Sequence, residues 1–285
     1  MIDVLCITHT DSDGWCSGAI VKHFEENVTI HHMNYGYDIP WNKIKQARKV
    51  YMTDFGLQPF KEMLKIKKMK GDNFIWIDHH KTAIDDLKKS GQKINGTQRI
   101  GDAGCELTWE YFSDEKMPEI VRLIGRYDVW DIKYSDKLFP LQSALTLYGV
   151  DSNSDTFWKT HLTSDDHLDE LIKEGQLCCN YHDNINYNNC KSHSFELDWK
   201  GYRFLAINAL GSNSKIFDSK FDPSKHDAML CFGYTNKNYS VSMYSTKNGV
   251  DVGSIAKSLG GGGHKNASGF QCLELPFELE WKRKG

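Results

Sequence analysis

The first 80 residues alternate between short apolar runs and amphipathic stretches, and this alternation restricts the fold more than any other feature. Residues 4–7, 28–30, 49–53 and 73–77 are rich in β-branched, aromatic and other apolar side chains, as strands are. Between the last two runs, residues 59–70 place apolar side chains at helical spacing. Strands separated by helices predict an α/β domain with a parallel sheet and right-handed crossovers.

The rest of the chain changes character twice. After about residue 82 the pattern is mainly helical, and residues 165–190 form a long polar stretch without proline. Residues 202–207, 228–232 and 239–244 then predict the strands of a second, smaller α/β domain. A length of 285 residues suits two domains of about 150 residues each. We predict an N-terminal domain at 1–164, a helical connector at 165–192 and a C-terminal domain at 193–285.

Composition narrows the classes of partner. The chain has 35 basic and 38 acidic residues, a formal net charge of −3, which disfavours duplex DNA as the main ligand. No apolar run approaches the roughly 18 residues of a membrane helix. Asp3 and the lack of a basic segment before it argue against a secretion signal. The eight cysteines include no C-x-x-C pair, so we expect free thiols and a cytoplasmic location; a homodimer is compatible with the sequence.

Side chains that can bind metal follow three of the four predicted N-terminal strands. They are His9, Asp11 and Asp13 after the first strand, Asp54 after the third, and Asp78, His79 and His80 after the fourth. Because the carboxyl ends of parallel strands meet at one edge of a sheet, we expect these side chains to converge there. Any one cluster alone is more typical of a turn or a helix cap. Three clusters at one edge predict a functional site.

The residue types indicate the chemistry of this site. Several carboxylates in one place repel one another, and divalent cations remove that repulsion. Aspartate and histidine without cysteine favour Mn²⁺ or Mg²⁺ over tetrahedral zinc. Two ions about 3.5–4 Å apart activate water and polarise a phosphoryl oxygen. The pattern therefore predicts hydrolysis of a phosphoester with two divalent ions, Mn²⁺ or Mg²⁺, for which Co²⁺ could substitute.

Five segments of the chain resemble the motifs of one known family. Residues 9–14 (HTDSDG), Asp54 and residues 78–80 (DHH) resemble the first three motifs of the DHH phosphoesterase superfamily. Residues 124–131 (IGRYDVWD) resemble its fourth motif, and residues 261–269 (GGGHKNASG) resemble the signature of the DHH-associated C-terminal domain. The matches occur in the family's order and span nearly the whole chain. Such a resemblance implies two lobes with the active site in the cleft between them.

The resemblance also implies roles for individual residues. His9 and Asp11 would bind one Mn²⁺; Asp13, His79 and Asp128 would bind the other; and Asp54 would bridge the two. His80 would act with Asp54 in catalysis, by facing the scissile phosphate and stabilising its developing charge. Asp78 would orient a histidine rather than bind metal. Asp131 is the alternative to Asp128, because two residues three apart on a helix share a face.

In the C-terminal domain, the resemblance implies a site for the end of the substrate remote from the cleaved bond. Its members would be Gly262, Gly263, His264, Ala267 and Gly269. Many relatives have an arginine near the position of Tyr244, which offers stacking and a hydroxyl but no charge. The polar loop at residues 208–219 either supplies compensating donors such as Asn213 and Lys215 or is an ordinary interstrand turn.

The sequence thus predicts a metal-dependent phosphoesterase. Its substrate would be a phosphodiester or terminal phosphate of a nucleotide or a short single-stranded oligonucleotide. The alternatives are a single-strand exonuclease of the RecJ type and a cyclic-dinucleotide phosphodiesterase. A non-catalytic nucleotide sensor is disfavoured, because none of the implied metal ligands is missing.

Overall fold

The computed structural model of the chain describes residues 2–279, which divide into two compact units between Cys179 and Asn180. The first unit contains a four-stranded, fully parallel sheet in the order β2-β1-β3-β4. Its strands are β1 (Ile2–His9), β2 (Val28–Met33), β3 (Ala47–Thr53) and β4 (Phe74–Ile77). Helices cover a parallel sheet on both faces, which is why the central strands are apolar along nearly their whole length.

Helices make up most of the remainder of the first unit. They are α1 (Ser12–Phe24), α2 (Trp41–Gln46), α3 (Lys61–Lys70), α4 (Lys81–Ser90), α5 (Gly104–Phe112), α6 (Glu119–Asp128), α7 (Ser135–Leu147), α8 (Asp155–Thr163) and the first part of α9 (Leu168–His193). One apolar cluster packs α1 against the helices that follow the sheet, with Ile20 and Leu123 fully buried in it. A second cluster covers the other side of the strands and contains Leu5 and Trp76.

The start of α1 shows how the first sequence motif shapes the chain. The Asp11 carboxylate accepts a hydrogen bond from the Gly14 amide and caps the helix. A Cβ atom on Gly14 would lie 2.5 Å from the backbone oxygen of His9, so only glycine allows the helix to begin this close to the strand. Strand end and helix start are thereby held together, and His9, Asp11 and Asp13 share one short segment.

The second unit contains a six-stranded mixed sheet in the order β5-β6-β7-β8-β10-β9, with α9 leading into it. Its strands are β5 (Phe195–Trp199), β6 (Tyr202–Asn208), β7 (Ala228–Tyr234), β8 (Tyr239–Tyr244), β9 (Gly262–His264) and β10 (Ala267–Cys272), and its helix is α10 (Val252–Ser258). Only β6 and β7 pair in parallel; the other neighbours are antiparallel. Phe204, Leu230 and Val241 lie at the centre of its apolar core.

The fold class is confirmed: a parallel N-terminal sheet is followed by a smaller α/β unit with its own sheet. All seven strands expected from apolar runs are present, and the polar stretch at 165–190 lies almost wholly in α9. No apolar run or periodicity predicts α2, β5 or β10, and Gly262 and Gly263, expected in a loop, lie in β9. None of the helices formed by residues 2–279 is both long and apolar enough to span a bilayer.

Candidate metal centre

The ends of β1, β3 and β4 bring the predicted ligands to one place. Three groups of side chains have ligand atoms within 4.8 Å of one another: His9, Asp11 and Asp54 form the first, Asp13, His79 and Asp128 form the second, and Asp54, Asp78, His79 and His80 form the third. The parallel register explains the convergence, because β3 pairs with β1 on one side and β4 on the other. The first two groups have the same members as the two ligand sets that the resemblance implies, with Asp54 in the first of them.

His79 lies at the centre of the second group. Its Nε2 atom is 3.2 Å from Asp54 Oδ1, 3.4 Å from Asp128 Oδ2 and 3.7 Å from Asp13 Oδ2. The Nε2 atom is buried and has no hydrogen-bond partner. An imidazole nitrogen facing three carboxylates without a hydrogen bond to any of them is arranged as metal ligands are, around a shared point.

Within the first group, His9 and Asp11 form a close pair. His9 Nδ1 lies 2.6 Å from Asp11 Oδ2 and 3.8 Å from Asp54 Oδ2. The contact with Asp11 raises the pKa of His9, against the opposing effect of burial. Burial would raise the pKa of Asp11, but His9 and the Gly14 amide outweigh it and lower that pKa. Asp11 is therefore anionic at neutral pH.

Asp54 is the most constrained residue of the centre. It is 1% exposed, and its amide donates to the Ile77 carbonyl at the end of the neighbouring strand. Its φ of +51° lies in the left-handed region, which aspartate tolerates better than most residues. Burial first, and then the charges of Asp13 and Asp11, raise the pKa of Asp54. Without a bound cation, this carboxylate lacks the nearby positive charge that would favour its ionised form.

The start of α5 holds Asp13, a relationship that the sequence analysis missed. The Gly104 amide donates to Asp13 Oδ2 at 2.7 Å and the Cys105 amide donates to Asp13 Oδ1 at 2.6 Å. These amides belong to the first turn of a helix, where N–H groups lack partners and favour an anion. Glu106 accepts from the Ala103 amide, but with alanine at the N-cap the sequence has no capping-box signature. Nothing in the local sequence reveals which carboxylate the helix meets.

Asp78 and His80 form a hydrogen-bonded pair beside these ligands. Asp78 is fully buried, and its Oδ1 lies 2.7 Å from His80 Nδ1 and accepts from the His79 amide. If His80 Nδ1 carries the proton of this hydrogen bond, its Nε2 remains available to another group. Burial would lower the pKa of His80, but Asp78 and the nearby Asp128 outweigh it and raise that pKa.

Arg126 and Glu106 form a part-buried ion pair near Asp128, the last residue of α6. Arg126 reaches both oxygens of Glu106, a fork that joins α6 to α5. Burial, then Asp13 and Asp11, raise the pKa of Asp128 to about 7. Asp131, the alternative ligand, belongs to none of the ligand groups found among residues 2–279.

The residues predicted to bind substrate in the second unit gather at one end of its sheet. Ala267 on β10 pairs with Tyr244 on one side and His264 on the other. The Tyr244 hydroxyl lies 3.5 Å from the Ser212 carbonyl, so the loop of Asn213 and Lys215 adjoins this end. Gly262 and Gly263 lie on β9 with His264, and Gly269 lies on β10 with Ala267. The loop itself forms a short 3₁₀ turn, in which Asn213 accepts from the Lys215 amide.

The donor set fits divalent cations. Asp54 Oδ2 and His79 Nε2 are buried atoms without hydrogen-bond partners, and each residue belongs to two of the three ligand groups. Buried polar atoms are rarely left unpaired, because desolvation costs about 1–3 kcal/mol for each. Four aspartates and two histidines are oxygen and nitrogen donors of the kind that Mn²⁺ and Mg²⁺ accept.

Fold and centre together define an α/β protein with a candidate dinuclear metal site, and comparison with known proteins identifies its family. The model for the DHH family, N-terminal domain, matches residues 3–126, and the model for the DHHA1 domain matches residues 211–276. The chain belongs to the DHH family, whose members are metal-dependent phosphoesterases.

Individual relatives are more distant. An uncharacterized protein of Acanthamoeba polyphaga mimivirus is 30% identical over 258 residues, covering 81% of this chain and 56% of that protein. The chain therefore spans little more than half the length of this relative. Two solved structures share the fold. The DHH domain of a member of the s1p family of ribosomal proteins has a TM-score of 0.61 at 12% identity, covering 95% of this chain and 83% of that one. A pGpG-specific phosphodiesterase from Vibrio cholerae has a TM-score of 0.56 at 14% identity, covering 95% and 93%.

Proposed function

We propose that this protein hydrolyses a phosphodiester or a terminal phosphate of a nucleotide or short oligonucleotide, with two divalent cations, preferably Mn²⁺. The observation that carries the proposal is the pair of ligand groups at the ends of β1, β3 and β4. His9, Asp11 and Asp54 would hold one ion, and Asp13, His79 and Asp128 the other, with Asp54 reaching both. When bound, the ions supply activated water and positive charge near a phosphoryl oxygen.

The chain's own residues position and neutralise the substrate. Asp78 holds the His80 ring through Nδ1, so that Nε2 can donate to a nonbridging phosphoryl oxygen in its protonated form. The hydrogen bond to the Asp78 carboxylate favours that form. Asp54 and Asp13, held rigidly by backbone contacts, keep the ligand atoms fixed while the phosphate changes geometry.

The second unit would bind the part of the substrate remote from the cleaved ester. Glycines in β9 and β10 allow close approach of a ligand to the backbone, and His264 and Tyr244 can donate to or stack on it. A dinucleotide is the first substrate to test, because a protein of the same fold is a pGpG-specific phosphodiesterase. An exonuclease acting on longer single strands and a cyclic-dinucleotide phosphodiesterase are the competing activities.

The experiment is a substrate panel with the metal-free protein and added Mn²⁺, Mg²⁺ or Co²⁺. The panel contains a linear dinucleotide, a nucleoside 3′,5′-bisphosphate, a cyclic dinucleotide and a single strand of about 20 nucleotides. We expect Mn²⁺-dependent hydrolysis of the short linear substrates. His80→Gln should lower kcat by about 100-fold or more, as loss of a donor to the transition state does, with Mn²⁺ binding preserved.

The matched control is His167→Gln, which alters an exposed histidine immediately before α9. It should leave both turnover and metal binding unchanged. Binding of two Mn²⁺ ions without hydrolysis of any substrate in the panel would favour a nucleotide sensor over an enzyme. Failure to bind any of the three cations would overturn the proposal.

A further inference from the structure

Tyr35 is an exposed aromatic residue at the edge of the metal centre, and none of the roles above uses it. The side chain is 51% exposed, although its ring contacts two buried or half-buried neighbours. Its centroid is 5.1 Å from that of Phe55 and 6.2 Å from that of His9. Phe55 in turn stacks on His9 at 5.7 Å. Tyr35 is thus the outermost ring of a three-ring cluster whose innermost member is a candidate metal ligand.

A tight turn presents this ring. The Tyr37 amide donates to the Asn34 carbonyl, and Gly36 has a φ of +86°, which glycine adopts without strain. Asn34 also ties the turn to the first motif, since its side chain donates to the Thr10 hydroxyl at 2.9 Å and accepts from the Tyr35 amide at 2.8 Å. An exposed aromatic ring fixed on a short turn is preorganised to receive a flat ligand.

The chemistry of the Tyr35 ring indicates what kind of ligand this is. Half of the side chain is exposed, and its ring offers an uncharged aromatic face. A negatively charged ligand would gain no electrostatic attraction from this ring, whereas an uncharged aromatic ligand could stack on it without any electrostatic cost. Nucleobases have such faces, and they stack on aromatic side chains with little dependence on sequence.

We propose that Tyr35 is a substrate-positioning residue that stacks on the nucleobase next to the scissile phosphate. The inference rests on the proposed function, and it adds a specificity element within the first unit. A base on Tyr35 would fix the sugar and phosphate on the side of the centre formed by His9 and Asp11. Selection would then favour nucleotide esters over esters of sugars or polyphosphate that carry no ring.

Binding of adenosine 5′-monophosphate and ribose 5-phosphate to the Mn²⁺-loaded protein tests the proposal by calorimetry. The two ligands differ only in the base. We expect Tyr35→Ala to weaken binding of the nucleotide about 5- to 150-fold, the range for loss of one stacked base, and to leave the sugar phosphate within about twofold. Tyr35→Phe should retain the wild-type preference. The control Tyr37→Ala removes the other exposed tyrosine of the same turn, 59% exposed, and should change neither ligand.

Kinetics with a dinucleotide and its abasic analogue provide the second readout. Tyr35→Ala should lower kcat/KM for the dinucleotide alone, chiefly through KM. Equal losses with both substrates, or weaker Mn²⁺ binding, would show that Tyr35 only supports His9 and would overturn the inference. The proposed function fails separately, when the wild-type protein hydrolyses nothing; the calorimetric comparison remains decisive for Tyr35 in that case.

Discussion

Gly104 lies against Asp54 so closely that a Cβ atom on the glycine would be 2.6 Å from the Cβ of the aspartate. The same hypothetical atom would be 3.1 Å from Asp13 Oδ2, the oxygen that the Gly104 amide binds. Neither neighbour is the free end of a flexible side chain. The first turn of α5 and the two carboxylates therefore occupy space that admits no extra methyl group.

The first prediction follows from that contact. Gly104→Ala should displace Asp54 or lengthen the hydrogen bonds to Asp13, and weaken Mn²⁺ binding by about 10- to 100-fold, as the loss of groups that orient ligands does. Titration calorimetry measures the change. Gly249→Ala is the matched control, because open space surrounds that glycine, and its affinity should equal the wild-type value. Equal affinities for all three proteins would contradict the packing argument.

The second prediction concerns the charge on Asp54. In the metal-free protein this buried carboxylate lies among other carboxylates, so Asp54→Asn should raise the stability of that form while abolishing most of its stabilisation by Mn²⁺. Asparagine also tolerates the left-handed backbone of this position. Thermal unfolding should show Tm rising about 2–4 °C for each kcal/mol of repulsion relieved.

Asp114→Asn, a change at an exposed loop residue, controls for the loss of one negative charge from the whole protein. Its metal-free Tm and its response to Mn²⁺ should match those of the wild type. If Asp54→Asn lowers the metal-free Tm instead, the carboxylate stabilises the protein without an ion, and the charge argument for the centre is wrong.

The third prediction separates pairing from packing at Glu106 and Arg126. Arg126→Met leaves the buried Glu106 carboxylate without its cation and should cost about 3–5 kcal/mol of unfolding free energy. Adding Glu106→Gln should restore much of the loss, because the amide is uncharged and its oxygen can still accept from the Ala103 amide. Urea unfolding of the four proteins in the cycle measures the coupling. Additive losses would show that the two side chains act independently.

Several features of the centre could be predicted from sequence because they depend on topology alone. Once β1, β3 and β4 were assigned from apolar runs, the rule that parallel strands end at one edge placed Asp13, Asp54 and His79 together. No detail of side-chain packing was needed. The same rule explains why the positions of these side chains could be predicted from sequence, although their roles as metal ligands stay predictions.

Contacts that depend on how helices pack could not be predicted in this way. Gly104 and Cys105 meet Asp13 across 91 and 92 residues of sequence, and no local pattern encodes that meeting. Tyr35 was missed for a related reason. An aromatic residue before a glycine is typical of any turn, and only the folded structure shows which side chains surround it. In the second unit, β5 was overlooked because its apolar side chains alternate with Glu196 and Asp198, as in a half-exposed edge strand.

The last prediction uses a histidine far from the metal centre. His161 is 7% exposed and packs its ring on Phe157, and burial, followed by the charge of His167, lowers its pKa below the usual value of about 6.5. Because the unfolded chain binds this proton more readily than the folded protein does, acid favours unfolding. The stability associated with neutral His161 is fully present above about pH 6.5 and is lost as the pH falls toward the lower, folded-state pKa.

His161→Gln removes the titrating group. The Tm of this variant should therefore fall less steeply than that of the wild type between pH 7.5 and 5, a window that extends about one unit above and more than one unit below the ordinary pKa of histidine. Thermal unfolding in a series of buffers of equal ionic strength measures the two slopes, and parallel slopes would show that His161 accepts its proton as easily inside the protein as in water.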